Sequence, residues 1–176
     1  MHRLFVAIRP PEPIRARLLD LMGGVAGARW QDEDHLHLTL RFIGEVDGRV
    51  ADDVDAALQS VIHPPFDLAL AGTGAFERRG QPATLWAGVA PHELVKTLHK
   101  KIDHALTRAG VEPERRAFHP HITLARLNRD VAPLQPFLEG HAVTSPAFTV
   151  AEFRLYESRL TPGGAVHTLA ARYSLG

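Results

Sequence analysis

The sequence predicts an α+β fold built on largely antiparallel sheet. Three observations carry that prediction. Strands follow one another directly as often as they alternate with helices, which disfavours a doubly wound parallel sheet. A His-x-His-x-Thr-Leu pattern occurs twice, at residues 35–40 and 119–124, about half a chain length apart. No charge run, low-complexity block or long linker divides the 176 residues, a length that suits one domain or two small lobes sharing a core.

The elements follow in order. "RLFVAIR" (3–9) is a short apolar run stopped by Pro10-Pro11 and reads as a strand. Ile14, Leu18 and Leu21 recur at helical spacing until Gly23-Gly24. "HLHLTLRFIG" alternates: Leu36, Leu38, Leu40 and Phe42 form a core face, and His35, His37, Thr39 and Arg41 form a polar face. Asp47 is placed to cap a helix carrying Val50, Val54, Leu58 and Val61, closed by Pro64-Pro65. "FDLALAGTGAF" and "ATLWAGVA" read as strands joined by the loop "ERRGQP". Leu94, Leu98, Ile102 and Leu106 mark the strongest helix, with Gly110 as its C-terminal cap and Lys100 and Lys101 on its solvated face. "FHPHITLARL" is a strand and a weak helix follows near 131–138. "FTVAEFRLYES" and "AVHTLAARYSL" are two strands around a "TPGG" turn.

Composition excludes several classes. With 45% hydrophobic and 23% charged residues the chain is an ordinary soluble globular one. Twenty basic and twenty acidic residues cancel, so bulk charge does not grip long nucleic acid, although a local site for a nucleic-acid end remains open. The absence of cysteine removes disulfides, thiolate metal sites and thiol nucleophiles. The apolar run near the N-terminus is too short for a signal-peptide core and no segment approaches a membrane span, so a cytoplasmic protein is expected.

The repeated motif carries the chemistry. His and Thr at i and i+2 of a strand share a face, roughly 6.5–7 Å apart. An imidazole and a hydroxyl so placed can both reach the oxygens of one phosphate. Two such strands, brought together by a pseudo-twofold axis, would hold it from both sides. Phosphodiester cleavage needs one proton removed from the attacking oxygen and one delivered to the leaving oxygen. A neutral and a protonated histidine supply both without a metal. A single His-x-Thr on a strand means little; its recurrence on two apolar strands is the signal.

"HLTL" and "HITL" resemble the paired signatures of the 2H phosphoesterases. More narrowly, the chain is similar to the bacterial and archaeal 2′-5′ RNA ligase group, the RNA 2′,3′-cyclic phosphodiesterases. The likeness runs nearly end to end through "RLFVAIRPP", "HLTLRFIGEV", "GAFERRGQPATLWAGV", "FHPHITLARL", "LYESRL" and the tyrosine at 173. It implies a bilobal α+β fold with a cleft between two mostly antiparallel sheets. It also implies hydrolysis of a terminal 2′,3′-cyclic phosphate to a 2′-phosphate, with joining or opening of 2′-5′ linkages at the same site. By motif position His37 is the proton donor and His121 the acceptor, and Thr39 and Thr123 hold phosphate oxygens. Arg126 matches a position used near the phosphate. Strict alternation turns it away from His121, so it serves only if the strand twists, bulges or ends there. No cofactor is expected. The partners are RNA ends or small cyclic or 2′-5′-linked nucleotides, and the chain is expected to be a monomer.

His35 and His119 fall outside the family motif. They are expected at the cleft rim or beside the substrate's sugar or outer phosphates. As His-x-His pairs they also raise a rival zinc site, weakened by threonine two residues on and by the lack of a carboxylate after the second pair. A third reading, an RNA-binding module, would use Trp30, Phe76, Trp86 and Phe118 for stacking, with Arg78, Arg79, Arg115 and Arg116 as a basic edge.

Overall fold

The computed structural model describes residues 1–140 and 143–176. Its elements are β1 (His2–Ile8), α1 (Glu12–Leu21), β2 (Ala28–Trp30), β3 (Leu38–Val46), α2 (Gly48–Gln59), β4 (Phe66–Arg78), β5 (Gln81–Ala90), α3 (Glu93–Arg108), β6 (His121–Leu127), α4 (Gln135–Gly140), β7 (Phe148–Val150), β8 (Glu152–Thr161) and β9 (Gly164–Ser174). All strand pairs are antiparallel.

The strands follow one path, β7-β4-β5-β6-β3-β1-β8-β9, with β2 attached to β6. The path divides at its centre. β9-β8-β1-β3 form one half and β6-β5-β4-β7 the other, and β3 and β6 meet through the single pairing Leu38↔Ile122. The two His-x-Thr strands are therefore the innermost strands of two halves with matching order. β7 and β8 are separated only by Ala151, yet one lies at the outer edge of the second half and the other inside the first. "FTVAEFRLYES" is thus two strands, because the chain changes halves at Ala151.

Leu36, Leu38, Leu40, Ile122, Leu124 and Ala125 are buried beneath the central strands. Ile14 and Leu18 of α1, Val54 and Leu58 of α2, and Val95, Leu98, Ile102 and Leu106 of α3 belong to the same core. Asp47 caps α2 as its spacing predicts, its carboxylate accepting from the Val50 amide. Gly110, just past α3, takes a left-handed backbone (φ +94°), the conformation that makes glycine a helix terminator. Leu94 departs from expectation: it is exposed, and Val95 takes its place on the buried stripe.

The first motif segment differs from the uninterrupted strand expected over residues 35–42. Residues Glu33–His35 form a 3₁₀ turn, with the Asp32 side chain accepting from the His35 amide. The strand starts only at Leu38. Further on, Ala7 pairs with Thr39 and Val6 with Arg41, so Leu40 is an extra residue on β3. This bulge reverses the alternation beyond it. Arg41, expected on the polar face, turns inward and is buried, and Phe42, expected in the core, is 62% exposed.

Candidate active site

The pairing of Leu38 with Ile122 fixes the geometry of the motifs. Both residues are buried, so their neighbours project to the opposite face, into the cleft. This pairing brings the two His-x-Thr segments side by side at the junction of the two halves. Continued by one residue each way, the same antiparallel register would set His37 opposite Thr123 and His121 opposite Thr39. Thr39 and His121 both line a cleft cavity of about 930 Å³, which continues past Phe42 to Phe76, Arg115 and Arg116.

Arg126 comes onto the Thr123 face of its strand because β6 bulges as well. Leu85 pairs with Ala125 and Trp86 with Thr123, leaving Leu124 as the extra residue. Thr84 and Trp86 share a face of β5, so their partners Arg126 and Thr123 share it too. The Arg126 Nη1 lies 3.4 Å from the Thr84 hydroxyl, and its charge is felt by both His37 and His121.

Each histidine has an aromatic neighbour from its own half. The ring of His37 packs 5.1 Å from Phe5, and that of His121 stands edge-on to Phe76 at 4.8 Å. Trp86 lies 6.3 Å from His121 and 4.9 Å from His119. The Trp86 indole can lie there only because Gly74 opposite has no side chain; a Cβ would come within 2.3 Å of the ring.

The environments of the two histidines differ. His121 donates its Nδ1–H to the His119 carbonyl at 2.7 Å. A carbonyl only accepts, so the neutral ring keeps its lone pair on Nε2. Burial lowers the His121 pKa, with the charges of His119 and Arg126 adding to the effect. His37 is pushed down to about 3, first by burial and then by the positive charge that His167 and His35 exert when protonated, with Arg9 and Arg126 adding to it. Neither ring nitrogen of His37 has a hydrogen-bond partner among the described residues.

Both ring nitrogens of His35 are engaged within the protein. Its Nδ1 is 2.5 Å from the Asp32 carboxylate and its Nε2 2.7 Å from the Ala165 carbonyl. Both partners accept, so both nitrogens carry protons and the ring is a fixed cation. Burial opposes that charge, but the bonds to Asp32 and Ala165 outweigh it and the pKa is raised. His119 contributes its carbonyl to His121 and places its ring 6.0 Å from that of His92. Among the described residues no group of three or more His, Asp or Glu is arranged to hold a metal ion.

Of the aromatic candidates, Trp30 packs on Phe137 and the core. Phe118 reaches the cavity wall, but one face is covered by His99 at 4.1 Å. Phe42 and Phe76 are the rings the cleft presents. Sequence reasoning missed three cleft residues. Arg9 donates to the carbonyls of Glu33 (2.6 Å) and Leu36 (3.0 Å) and steadies the turn before His37. Phe42 was hidden by the bulge. His167 lies in a strand with no motif around it, and only the β8–β9 register brings it to the site.

The 2′-5′ RNA ligase superfamily model matches residues 4–161. An RNA 2′,3′-cyclic phosphodiesterase from Aeropyrum pernix is 36% identical over 141 residues, covering 77% of this chain and 80% of that protein. One from Archaeoglobus fulgidus is 30% identical over 169 residues, covering 94% and 96%. The crystal structure of Escherichia coli LigT complexed with 3′-AMP superimposes with a TM-score of 0.79 at 30% identity, covering 99% of this chain and 98% of that one. LigT has also been crystallised with NADP⁺, ATP and phosphate.

Proposed function

This chain belongs to the 2′-5′ RNA ligase superfamily, and from that premise we propose that it is an RNA 2′,3′-cyclic phosphodiesterase working through His37 and His121. The observation that supports the residue assignment is the Leu38↔Ile122 pairing, which brings the two His-x-Thr segments together at the junction of the two halves.

The cyclic phosphate sits between the two strands, its non-bridging oxygens taken by the hydroxyls of Thr39 and Thr123 and by the Arg126 guanidinium. Water approaches from the His121 side. Nε2, the nitrogen left with a lone pair, takes the water proton as the new P–O bond forms. The bond from phosphorus to the 3′ oxygen breaks, and His37 delivers a proton to that oxygen. The products are a 2′-phosphomonoester and a free 3′-hydroxyl. His121 ends with one proton more and His37 with one fewer, and exchange with solvent restores both. Run with a 5′-hydroxyl in place of water, the same steps form a 2′-5′ linkage.

His37 must enter the reaction protonated. The protein's own groups hold its pKa at about 3. A phosphodiester brings a negative charge among His35, Arg9 and Arg126, which raises His37 and allows it to act as an imidazolium. Charge placed where it develops during the reaction, here by Arg126 and the threonines, supplies much of the remaining rate.

The substrate class is RNA ends or small cyclic nucleotides, acted on by a monomer in the cytoplasm; no described helix is long and apolar enough to cross a membrane. The test is hydrolysis of a 2′,3′-cyclic mononucleotide and of an RNA oligonucleotide with a cyclic end, each in excess chelator. Turnover to the 2′-phosphate is expected. Loss of activity that zinc restores would favour the metal reading. RNA affinity with no turnover on any cyclic or 2′-5′ substrate would favour a binding module.

A further inference from the structure

His167 stands beside His37 without a role in the chemistry above. It pairs with Ser158 in the β8–β9 hairpin, and positions 165, 167 and 169 share the face that Tyr156 and Phe5 present to the cleft. Its ring centre lies 5.4 Å from that of His37, 4.6 Å from His35 and 4.8 Å from Phe5. Its Nδ1 is buried with no hydrogen-bond partner among the described residues. A buried polar atom left unpaired in a native fold calls for a physical reason.

We propose that His167 is the positioning residue for His37: its buried Nδ1 accepts a hydrogen bond from the protonated His37 ring, leaving the other His37 N–H aimed at the departing 3′ oxygen. The inference rests on the assignment of His37 as proton donor. Two imidazoles joined by an N–H···N bond of about 2.9 Å have ring centres about 5 Å apart. The observed 5.4 Å is close to that separation, and a change of ring tilt completes it.

The neighbourhood gives His167 the properties the role requires. The fixed His35 cation, 4.6 Å away, disfavours a second positive charge on His167, as does burial. A proton on Nδ1 would be a buried, unanswered donor, so the neutral ring carries its proton on Nε2 and offers Nδ1 as an acceptor. The His35 bond to the Ala165 carbonyl, two residues before His167 on the same strand, holds this part of β9 against the first motif. The other groups facing His37 are Arg9, Arg126, Tyr156 and Phe5. None of these is a neutral nitrogen acceptor.

The pH profile distinguishes this role from others. A neutral acceptor keeps the proton on His37, whereas a cationic His167 would drive it off. In His167→Phe the alkaline limb of kcat, which reports loss of the His37 proton, is expected to move down by about one pH unit, with KM changed less than about twofold and the acid limb in place. Above neutrality that is about a tenfold loss of rate. His167→Gln, whose amide oxygen can accept, should recover part of the shift. A limb that stays put, or moves up, in folded His167→Phe overturns the proposal. A second measurement needs no substitution. In the unmodified protein saturated with inorganic phosphate, ¹⁵N spectra should show His167 neutral and unprotonated at Nδ1 across the titration of His37. A proton on Nδ1, or a cationic His167, overturns it. An unmodified protein without activity would sink the functional reading instead, and the spectra would still decide the role of His167.

Discussion

At the scale of single residues, the proposed function assigns His37 and His121 to the substrate, while His35 and the His119 carbonyl are engaged within the protein. His37→Ala and His121→Ala are each expected to lower kcat by at least about 10²-fold with the fold intact, measured by turnover of a 2′,3′-cyclic nucleotide alongside thermal melting. His35→Ala and His119→Ala should cost much less, because both nitrogens of His35 are committed to Asp32 and Ala165 and His119 serves His121 through its carbonyl. Equal losses within either pair would contradict that division. Stability should carry the same signature. His35 has a raised pKa in the fold, so its contribution is complete below about pH 6.5 and is lost as pH rises through the folded value. His37 is held at about 3, so between about 6.5 and 3 the unfolded chain binds a proton that the native one refuses, and stability falls as the solution is acidified. Melting temperature against pH should flatten above neutrality in His35→Gln and below it in His37→Gln. His37 and His121 stood out in the sequence because a doubled pattern on apolar strands is rare by accident. His35's cation was not, since it depends on a carbonyl 130 residues away.

At the scale of elements, two bulges decide the site, and neither has a local sequence signature. The one at Leu40 places Phe42 in the cleft and sends Arg41 inward. There Arg41 bonds Asp103 of α3 at 2.9 Å and the carbonyls of Phe42 and Glu112, while Asp103 also accepts from the Glu114 amide. The inverted arginine thus ties β3 to α3 and to the loop that forms the far wall of the cavity. Removing one partner of a buried ion pair typically costs about 3–5 kcal/mol. Arg41→Ala is expected near the lower end, because Asp103 keeps some contact with water, and is to be read from denaturant unfolding. Loss of less than about 1 kcal/mol would mean the tie is incidental. The bulge at Leu124 puts Arg126 on the same face as Thr123, where strict alternation would put it on the other. Periodicity reads a regular strand well, but an inserted residue reverses every later position, and only the partner strand reveals it.

At the scale of the whole molecule, helices, strand types and the half-chain repeat were legible because they follow from spacing and breakers. Strand order was not, because β8 and β9 complete the first half from the far end of the sequence. Removing residues 148–176 takes two strands from that half and one from the other. The truncated chain is expected not to fold, judged by loss of a cooperative melting transition. The intact protein should melt in one step by circular dichroism and calorimetry alike. Two separated transitions would show that the halves are independent.

The one-residue joint at Ala151 has a mechanical consequence. Its carbonyl accepts from the Leu175 amide at 2.8 Å, and the next residue, Gly176, donates to the His63 carbonyl at 3.1 Å. The final residues therefore stitch the crossover to the segment leading into β4. A span so short and so fastened is expected to resist swinging of one half against the other, so hydrogen exchange at the Leu175 and Gly176 amides should be slow with and without bound nucleotide.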